Sequence, residues 1–337
     1  MADNYFCLDI GEKFTKVVDW IDTKDGIEIT ALGRFETGEY FYTTEVEKNI
    51  EEQANTINKL IANLKISKKN VNVIIPDSLT YNQILTMPYL NEKELISAIK
   101  YQADQFIPMP IEETNIDLEI IEEYKTEKKI LILIAAASKK IIQKIQTTVE
   151  LAGLIPESVE TELSANSRFI LNYFKKFPQK TAGNILLANF ALNTTNLSYF
   201  ENTIPIVKEN HNLSIGYQLF LKEIQVNTDT DSKKAAEILQ TYIPGHPSSY
   251  QVETIIAPIL REFALEIKKF VNNRKLTTFY FINNIAIFPA LTTLLSKQLS
   301  IATVAFDPQP IFKKTPIIQN NLHELPIYVS TFGGNLR

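Results

Sequence analysis

The sequence is poor in cysteine and histidine, which argues against a disulfide-stabilised protein and against a histidine metal site. Its 337 residues include one cysteine and three histidines. Cys7 has no second cysteine to pair with, so no internal disulfide can form, and its position in an apolar run favours a buried thiol in a reducing compartment. His211, His246 and His323 are scattered, and no two have the i, i+4 spacing of a helical metal site. Neither a disulfide scaffold nor a histidine metal centre is expected.

Long apolar runs are also missing. The longest uncharged stretch, residues 276–296, contains Pro289, an Asn-Asn pair and four threonines, and its apolar period changes halfway. It therefore predicts a strand followed by a helix and not a membrane span. The N-terminal residues lack the basic region of a signal peptide and lead directly into a strand, so no secretion signal is expected.

The chain has no excess of positive charge. It carries 34 lysines and arginines against 39 aspartates and glutamates, which gives a net charge of −5. Its short lysine pairs are typical of solvated surfaces, so we expect no nucleic-acid partner. The length favours two packed lobes over one, and a hydrophobic content of 45% is enough to form their cores.

The two halves of the chain begin with the same pattern. Each opens with three β-like runs that are followed by helices. Residues 8–11, LDIG, align with residues 188–191, ANFA, and Thr15 aligns with Thr195. Because the match stands at the start of each half, it predicts an internal duplication of an α/β lobe.

Residues 80–154 form a separate pattern of strand, helix, two strands and helix. Asn91 can cap the first helix, because Glu94 stands at the third helical position, and the two prolines in residues 107–110 end it. The second helix ends at Gly153, as a C-cap does. We expect a compact subdomain inserted into the first lobe.

The segment LDIGEKFTKVVD, residues 8–19, places an Asp-x-Gly corner between two β-like runs. Two such hairpins facing each other across a cleft can hold the phosphates of a nucleotide with their backbone N–H groups. Gly11 lets the backbone approach without a Cβ, and Asp9 is suited to orient a divalent cation or its water ligands. The sequence therefore predicts a phosphate corner in the first half and a partner hairpin near residue 188.

In their order these motifs resemble the family of the type IV pilus assembly protein PilM. LDIGEKFTKVVD is similar to that family's first phosphate motif, including Lys16 five residues after the glycine, and TMPYLNEKELISAIKYQADQFIPMPIEETNIDLEII is similar to the signature of its inserted subdomain. The similarity continues through SIGYQLFLKEI, KKAAEILQ, LREFALEIKKF, FPALTTLLSKQL and AFDPQP, so it covers nearly the whole chain. It implies an α/β protein with a duplicated actin-like, or RNase H-like, ATPase fold, two lobes around a cleft, and an insert of the kind shared with FtsA.

The resemblance implies a division of the chain into three parts. The first actin-like lobe would comprise residues 1–79 and 155–180, and the second lobe residues 181–337. Residues 80–154 would form the inserted subdomain, which binds a partner.

The resemblance also implies a nucleotide site that this chain has partly lost. The retained positions are Asp9, Gly11, Lys16, Thr195, Gly216 and Glu237. Asn189 and Ala191 replace the Asp and Gly of the second phosphate motif. Asn283 and Asn284 replace a Gly-Gly pair that seats adenosine, and Gln240 replaces a lysine in the bordering helix. ATP and magnesium are therefore expected to bind weakly or not at all, as in a pseudo-ATPase.

A second interpretation of these departures stays open. Only 10 of the 337 residues are glycine, below the usual share of about 7%. Asparagine can adopt the left-handed turn conformations that glycine prefers. Nucleotide binding through Asn283 and Asn284 is therefore conceivable.

The leading interpretation is a cytoplasmic scaffold without enzymatic activity. The resemblance implies a protein that couples the cytoplasmic tail of a bitopic inner-membrane partner, PilN, to other pilus, competence or secretion proteins. Membrane contact would then occur only through partners, at the inner face of the membrane. We expect the tail peptide to lie between the insert and the first lobe, recognised by an apolar slot and by backbone pairing.

Two other classes of protein remain as alternatives. A functional actin-like ATPase or kinase would need a carboxylate at the second corner, where Asn189 stands. A filament-forming, FtsA-like cytoskeletal protein would carry an amphipathic membrane-binding tail. The segment ELPIYVSTFGGNLR has one basic residue and little helical periodicity, which argues against such a tail.

Overall fold

Two α/β lobes and a small third sheet contain most of the regular structure. The computed structural model describes residues 5–90, 94, 95, 97–99, 107–178, 183–201, 206–272 and 274–337. The strands are β1 (Tyr5–Ile10), β2 (Phe14–Thr23), β3 (Gly26–Glu36), β4 (Asn70–Ile75), β5 (Thr80–Pro88), β6 (Thr114–Tyr124), β7 (Lys129–Ser138), β8 (Ile155–Thr161), β9 (Asn184–Phe190), β10 (Thr195–Glu201), β11 (Ile206–Leu213), β12 (Leu276–Asn283) and β13 (Thr303–Ala305). The helices are α1 (Glu47–Leu64), α2 (Lys139–Leu151), α3 (Glu162–Lys176), α4 (Tyr217–Thr228), α5 (Ser232–Thr241), α6 (Val252–Val271), α7 (Ala290–Leu299), α8 (Pro316–Asn320) and α9 (Val329–Gly334).

The two lobes share one strand order, which confirms the predicted duplication. The first sheet has the order β3-β2-β1-β4-β8 and the second the order β11-β10-β9-β12-β13. In each sheet an antiparallel meander of three strands is followed by two strands parallel to its first strand. Ile10 pairs with Thr15 in the first hairpin, and Phe190 pairs with Thr195 in the second. The aligned segments therefore occupy equivalent positions.

Helices pack on the sheets through apolar residues spaced three or four positions apart. On α1, Ala54 and Ile57 are buried in the core of the first sheet. Helix α3 begins after the cap residue Thr161, whose hydroxyl accepts a hydrogen bond from Ser164 N at 3.3 Å. This cap fixes the first turn of α3 beside the ends of the parallel strands and so directs Glu162 toward the space between the lobes.

The insert has a sheet of its own, with the order β5-β7-β6. One face of this sheet packs in a core around Ile130 and Ile132, together with Leu95 and Ile99. Leu95 and Ile99 are helical, as predicted, and so are residues 94, 97 and 98, whereas the other residues of the helix predicted from Asn91 lie outside the described residues.

The last helix of the insert pattern packs on the first lobe. Ile145 and Val149 of α2 are fully buried in one cluster with Phe6 of β1 and Val71 of β4. The predicted boundary at residue 154 places this helix with the insert, although its buried face belongs to the core of the lobe. The three-part division itself stays a prediction.

The β5 edge of the insert sheet rests on the second lobe. Asn210 of β11 accepts a hydrogen bond from Ile84 N at 3.1 Å and donates one to Asn82 O at 2.9 Å. Lys208 donates a hydrogen bond to the Tyr124 hydroxyl at the end of β6. The two bonds of Asn210 satisfy backbone groups of β5, whereas β6 has no second strand partner among the described residues.

The C-terminal helix α9 is buried and does not follow from the sequence pattern. A Cβ at Gly333 would lie 1.8 Å from Ala165 O of α3, and a Cβ at Gly334 would lie 2.3 Å from Cys7 Sγ of β1. The two glycines thus allow α9 to pack tightly between α3 and β1. Every residue of α9 is buried, so it lacks the polar face that gives an amphipathic period.

The long uncharged stretch forms a strand and a helix, as predicted. Residues 276–296 comprise β12 and most of α7. No helix within the described ranges is both long enough and apolar enough to cross a membrane. Strand β8, in contrast, is missing from the sequence-based prediction, because Pro156 and its polar residues argue against a strand.

Candidate functional site

The predicted phosphate corners are two tight turns that follow β1 and β9. Gly11 N donates a hydrogen bond to Phe14 O at 3.1 Å, and Ala191 N donates one to Thr194 O at 2.9 Å. Both N–H groups are thus engaged within their own turns. A Cβ at Gly11 would lie 2.9 Å from Phe14 O, so the first turn itself favours glycine.

The two turns touch across the cleft. Asn193 Nδ2 donates a hydrogen bond to Glu12 Oε1 at 2.8 Å. The ammonium group of Lys13 lies 5.6 Å from the centre of the Tyr217 ring, a cation–π contact between the lobes. The space left between the turns has a volume of about 10 Å³, which is room for about one water molecule. The lobes are therefore closed on each other at this point.

Asp9 is paired inside the protein. Its Oδ2 lies 2.6 Å from Lys16 Nζ, and both side chains are buried. The Ser330 hydroxyl of α9 donates a hydrogen bond to the same oxygen and accepts one from Lys16 Nζ at 3.4 Å. Asp9 Oδ1 has no hydrogen-bond partner among the described residues. The corner residues Asp9, Gly11 and Lys16 are thus together, and Ser330 joins them from the C-terminal helix.

Two further carboxylates lie opposite the second corner. Asn189 Nδ2 donates a hydrogen bond to Asp77 Oδ2 at 3.2 Å and another to Glu162 Oε2 at 3.0 Å. Burial raises the pKa of Asp77 to about 6, against the lowering effect of the hydrogen bonds from Asn189 and Leu163 N. Burial, followed by the charges of Asp9 and Asp77, raises the pKa of Glu162 to about 8. Both carboxyl groups therefore favour the protonated form more than exposed ones do.

The two asparagines in the predicted adenosine motif have different environments. Asn283 adopts a positive φ of 67°, a backbone conformation that favours glycine. Its Nδ2 donates a hydrogen bond to Asn189 Oδ1 at 2.9 Å. Asn284 is buried, and its Oδ1 has no hydrogen-bond partner among the described residues. Asn283 thus takes the backbone role expected of a glycine and adds an amide to the cleft.

The remaining predicted site residues are not all at the cleft. Thr195 is fully buried and donates a hydrogen bond to a backbone carbonyl at 2.6 Å. Gly216 lies against the second turn, where a Cβ would be 2.4 Å from Leu192 O. Glu237 is exposed on α5 and lines a separate surface cavity. Gln240, on the same helix, lines an open groove of about 540 Å³ beyond the end of β12.

The gap between the two turns is far smaller than a ligand site. Ligand sites for small molecules have volumes of about 300 Å³ or more, against about 10 Å³ here. Asp9 offers one free oxygen, and Asn189 offers no carboxylate. The described residues contain no group of three or more His, Cys, Asp or Glu side chains placed to hold a metal ion.

A second and open site lies between the insert and the first lobe. It is a groove of about 590 Å³ formed by β6, β7, β8, α2 and α3. Strands β6 and β8 each stand at the edge of a sheet, and among the described residues neither has a strand paired to its outer edge. Its apolar lining consists of Ile75, Ile116, Leu118, Ala135, Ala136, Ala137, Ile142 and Val159. Unpaired strand edges beside an apolar slot are suited to an extended peptide.

A bidentate ion pair forms part of the groove lining. Arg168 donates hydrogen bonds from Nη1 to Glu160 Oε1 at 3.1 Å and from Nη2 to Glu160 Oε2 at 2.6 Å. Arg168 Nη1 also donates to Gly333 O at 2.8 Å, and Arg337 Nη1 lies 3.7 Å from Glu160 Oε2. The lining as a whole carries four carboxylates and two guanidinium groups. The groove therefore has a negative balance of charge.

Sequence reasoning misses three residues of the closed cleft. Asp77 follows β4 and Glu162 follows β8, and the carboxyl ends of neighbouring parallel strands meet at one edge of a sheet. That signal identifies Asp77, but it identifies Glu162 only if β8 is recognised as a strand. Ser330 lies 321 positions from Asp9, so no local pattern connects them.

Raising the pH is expected to destabilise the protein through Glu162. A carboxyl group whose pKa is raised to about 8 in the folded state stabilises fully below about 4.5, its ordinary value, and loses that contribution as the pH rises through about 8. The melting temperature of the wild-type chain should therefore fall between about pH 4.5 and about pH 8. Glu162→Gln, which does not ionise, should show a smaller fall, measured by thermal unfolding. The exposed control Glu237→Gln should behave as the wild type, and equal falls in all three proteins would refute the assignment.

Comparison with known proteins matches nearly the whole chain. The family described as type IV pilus assembly protein PilM matches residues 7–337. Among solved structures, the PilM-PilN type IV pilus biogenesis complex is similar at a TM-score of 0.83 and 18% identity, over 99% of this chain and 98% of that one. The ethanolamine utilization protein EutJ from Carboxydothermus hydrogenoformans is similar at a TM-score of 0.53 and 13% identity, over 98% of this chain and 88% of that one. At these identities the structures show the fold, and they confirm the expected actin-like architecture of two lobes.

Proposed function

Because the chain belongs to the family of the type IV pilus assembly protein PilM, we propose that it is a cytoplasmic scaffold of pilus assembly. In this proposal it binds the cytoplasmic tail of a PilN-type membrane protein, as the similar PilM-PilN complex suggests. It lies at the inner face of the membrane through that partner, and other assembly proteins bind elsewhere on its surface.

The groove between the insert and the first lobe is the observation that carries the proposal. Its two walls are unpaired strand edges, so a tail in extended conformation can add its own backbone hydrogen bonds to β6 or β8. The alanines of β7 leave room for apolar side chains of the tail. The negative balance of the lining favours a tail segment that carries positive charge.

Titration calorimetry with a synthetic tail peptide tests this function. The full chain without nucleotide is expected to bind one peptide of the cognate PilN-type tail, with a dissociation constant on the order of micromolar. A peptide of the same composition in scrambled order is the control. It should bind far more weakly, because its apolar side chains no longer stand at the positions that meet the apolar slot. Equal heats for the two peptides, or no heat from the native one, would contradict the proposal.

We infer that the nucleotide site is degraded and that ATP turnover is absent. Asn189 is neutral, the second turn has a Cβ at Ala191, and Asn283 and Asn284 place side chains where a flat adenosine seat is needed. Each lost contact is worth about 1 to 3 kcal/mol, so several together reduce affinity by orders of magnitude.

Titration of the wild-type chain with ATP and magnesium is expected to give no binding in the micromolar range, and phosphate release should equal that of buffer. The result that would overturn this inference is a micromolar or tighter dissociation constant that Asp9→Ala abolishes.

A further inference from the structure

Two carboxylates of one lobe meet two amides of the other at the bottom of the cleft. Asp77 follows β4 and Glu162 opens α3 in the first lobe, whereas Asn189 lies on β9 and Asn283 ends β12 in the second. The exposed fractions of the four residues are 1, 2, 4 and 9%. Solvent therefore cannot satisfy these polar groups, and they must satisfy one another.

The hydrogens of the two amides are fully used. Asn189 Nδ2 donates to Asp77 Oδ2 and to Glu162 Oε2, at 3.2 and 3.0 Å. Asn283 Nδ2 donates to Asn189 Oδ1 at 2.9 Å and to Glu162 Oε1 at 3.4 Å. Because an amide has two N–H donors and one carbonyl acceptor, each asparagine here works at its full donor capacity.

Neutral donors hold the two carboxylates. Backbone groups add two bonds, from Asp77 N to Glu162 Oε2 at 3.1 Å and from Leu163 N to Asp77 Oδ1 at 3.0 Å. Lys16, the buried lysine nearby, is paired with Asp9 instead. A carboxylate at position 189 would offer no hydrogen to either neighbour and would bring a third acid into the same buried space.

We propose that Asp77, Glu162, Asn189 and Asn283 form an amide lock that holds the two lobes closed without a nucleotide. This proposal rests on the degraded nucleotide site of the proposed function. It gives a structural role to Asn189, which replaces the aspartate of the second phosphate motif. In the closed cleft an amide at this position donates to both acids of the opposite lobe at once, whereas an ionised aspartate has no hydrogen to donate to either. The lock would keep the first lobe and its insert in a fixed arrangement with the second lobe.

The isosteric change Asn189→Asp tests the amide lock, because it replaces two hydrogen-bond donors by a charge at nearly the same size. Spin labels at Glu39→Cys and Lys233→Cys, exposed positions on the two lobes, report the distance between them, and the buried Cys7 stays unlabelled. The variant is expected to lengthen or broaden the distance distribution by several ångströms and to lower the melting temperature by at least about 5 °C. The control Asn58→Asp makes the same chemical change at an exposed position of α1 and should leave both values unchanged.

A compensating double variant separates the lock from a general effect of charge on folding. Asn189→Asp combined with Glu162→Gln exchanges the acid and the amide, which keeps the net charge and returns a donor to the pair. It should recover most of the lost melting temperature and the wild-type distance, even if Asn189→Asp alone fails to fold. The lock would be overturned if the double variant melted at no higher temperature than Asn189→Asp. It would also be overturned if Asn189→Asp and Asn58→Asp gave the same melting temperature and the same distance distribution. No peptide or nucleotide is used, so failure of the scaffold proposal would leave this result unaffected.

Discussion

The Ala135→Arg variant is expected to bind the tail peptide at least about tenfold more weakly than the wild-type chain, a loss of about 1.4 kcal/mol or more. Ala135 lines the groove and is half-buried, whereas its neighbour Ile134 is in the insert core and does not line the groove. An arginine here would fill the slot that the tail needs. It stands directly opposite Asp117 of β6, so the new side chain can pair with that carboxylate and the sheet should stay folded.

The matched control for this variant is Thr126→Arg. Thr126 is exposed in the turn between β6 and β7. The Thr126→Arg variant therefore adds an arginine to the same sheet but outside the groove. Calorimetric titration should give wild-type affinity for Thr126→Arg, and circular dichroism should show both variants folded. If Ala135→Arg bound the peptide as tightly as Thr126→Arg, the peptide would have to bind elsewhere.

The Gly333→Ala variant is expected to be strongly destabilised. The added Cβ would lie 1.8 Å from Ala165 O and 2.4 Å from Ala165 C, so either α9 or α3 must move. Overpacking against backbone costs about 3 kcal/mol or more, which corresponds to a fall in melting temperature of at least about 5 °C. Movement of α9 would also withdraw Ser330 from Asp9.

Gly38→Ala provides the comparison for that measurement. A Cβ at Gly38 would meet Gln53 Oε1 at 3.6 Å and Phe41 Cβ at 3.9 Å, which are ordinary contacts. Thermal unfolding should place this variant close to the wild type. Equal melting temperatures for the two alanine variants would show that α9 does not pack against α3 as described.

The sequence predicts the fold well where local pattern and tertiary role agree. Both hairpins are formed by β-like apolar runs, and the aligned residues 8–11 and 188–191 occupy equivalent positions in two sheets of the same order. The sequence does not predict β8, because its polar residues and Pro156, which suit an edge strand facing a groove, argue against a strand in a local pattern. It also fails for α9, which is buried on all sides and has glycines where it meets its neighbours.

The candidate site follows from the sequence only in part. The corner residues Asp9 and Gly11 are recognisable because their spacing is local. Their partners Glu162 and Ser330 come from distant segments, and only the folded chain brings them to the cleft. The substitution at Asn189 can be seen in the sequence as a lost acid, but its two hydrogen bonds to acids of the other lobe cannot.

We propose that this chain recognises a membrane partner through the groove between β6 and β8. A crystal structure of the full chain with the synthetic tail peptide, grown without nucleotide, tests it most directly. We expect an extended peptide hydrogen-bonded to the edge of β6 or β8, with apolar side chains over Ala135 and the Glu160–Arg168 pair beside it. A peptide bound at any other surface, with this groove free of it, would contradict recognition through the groove.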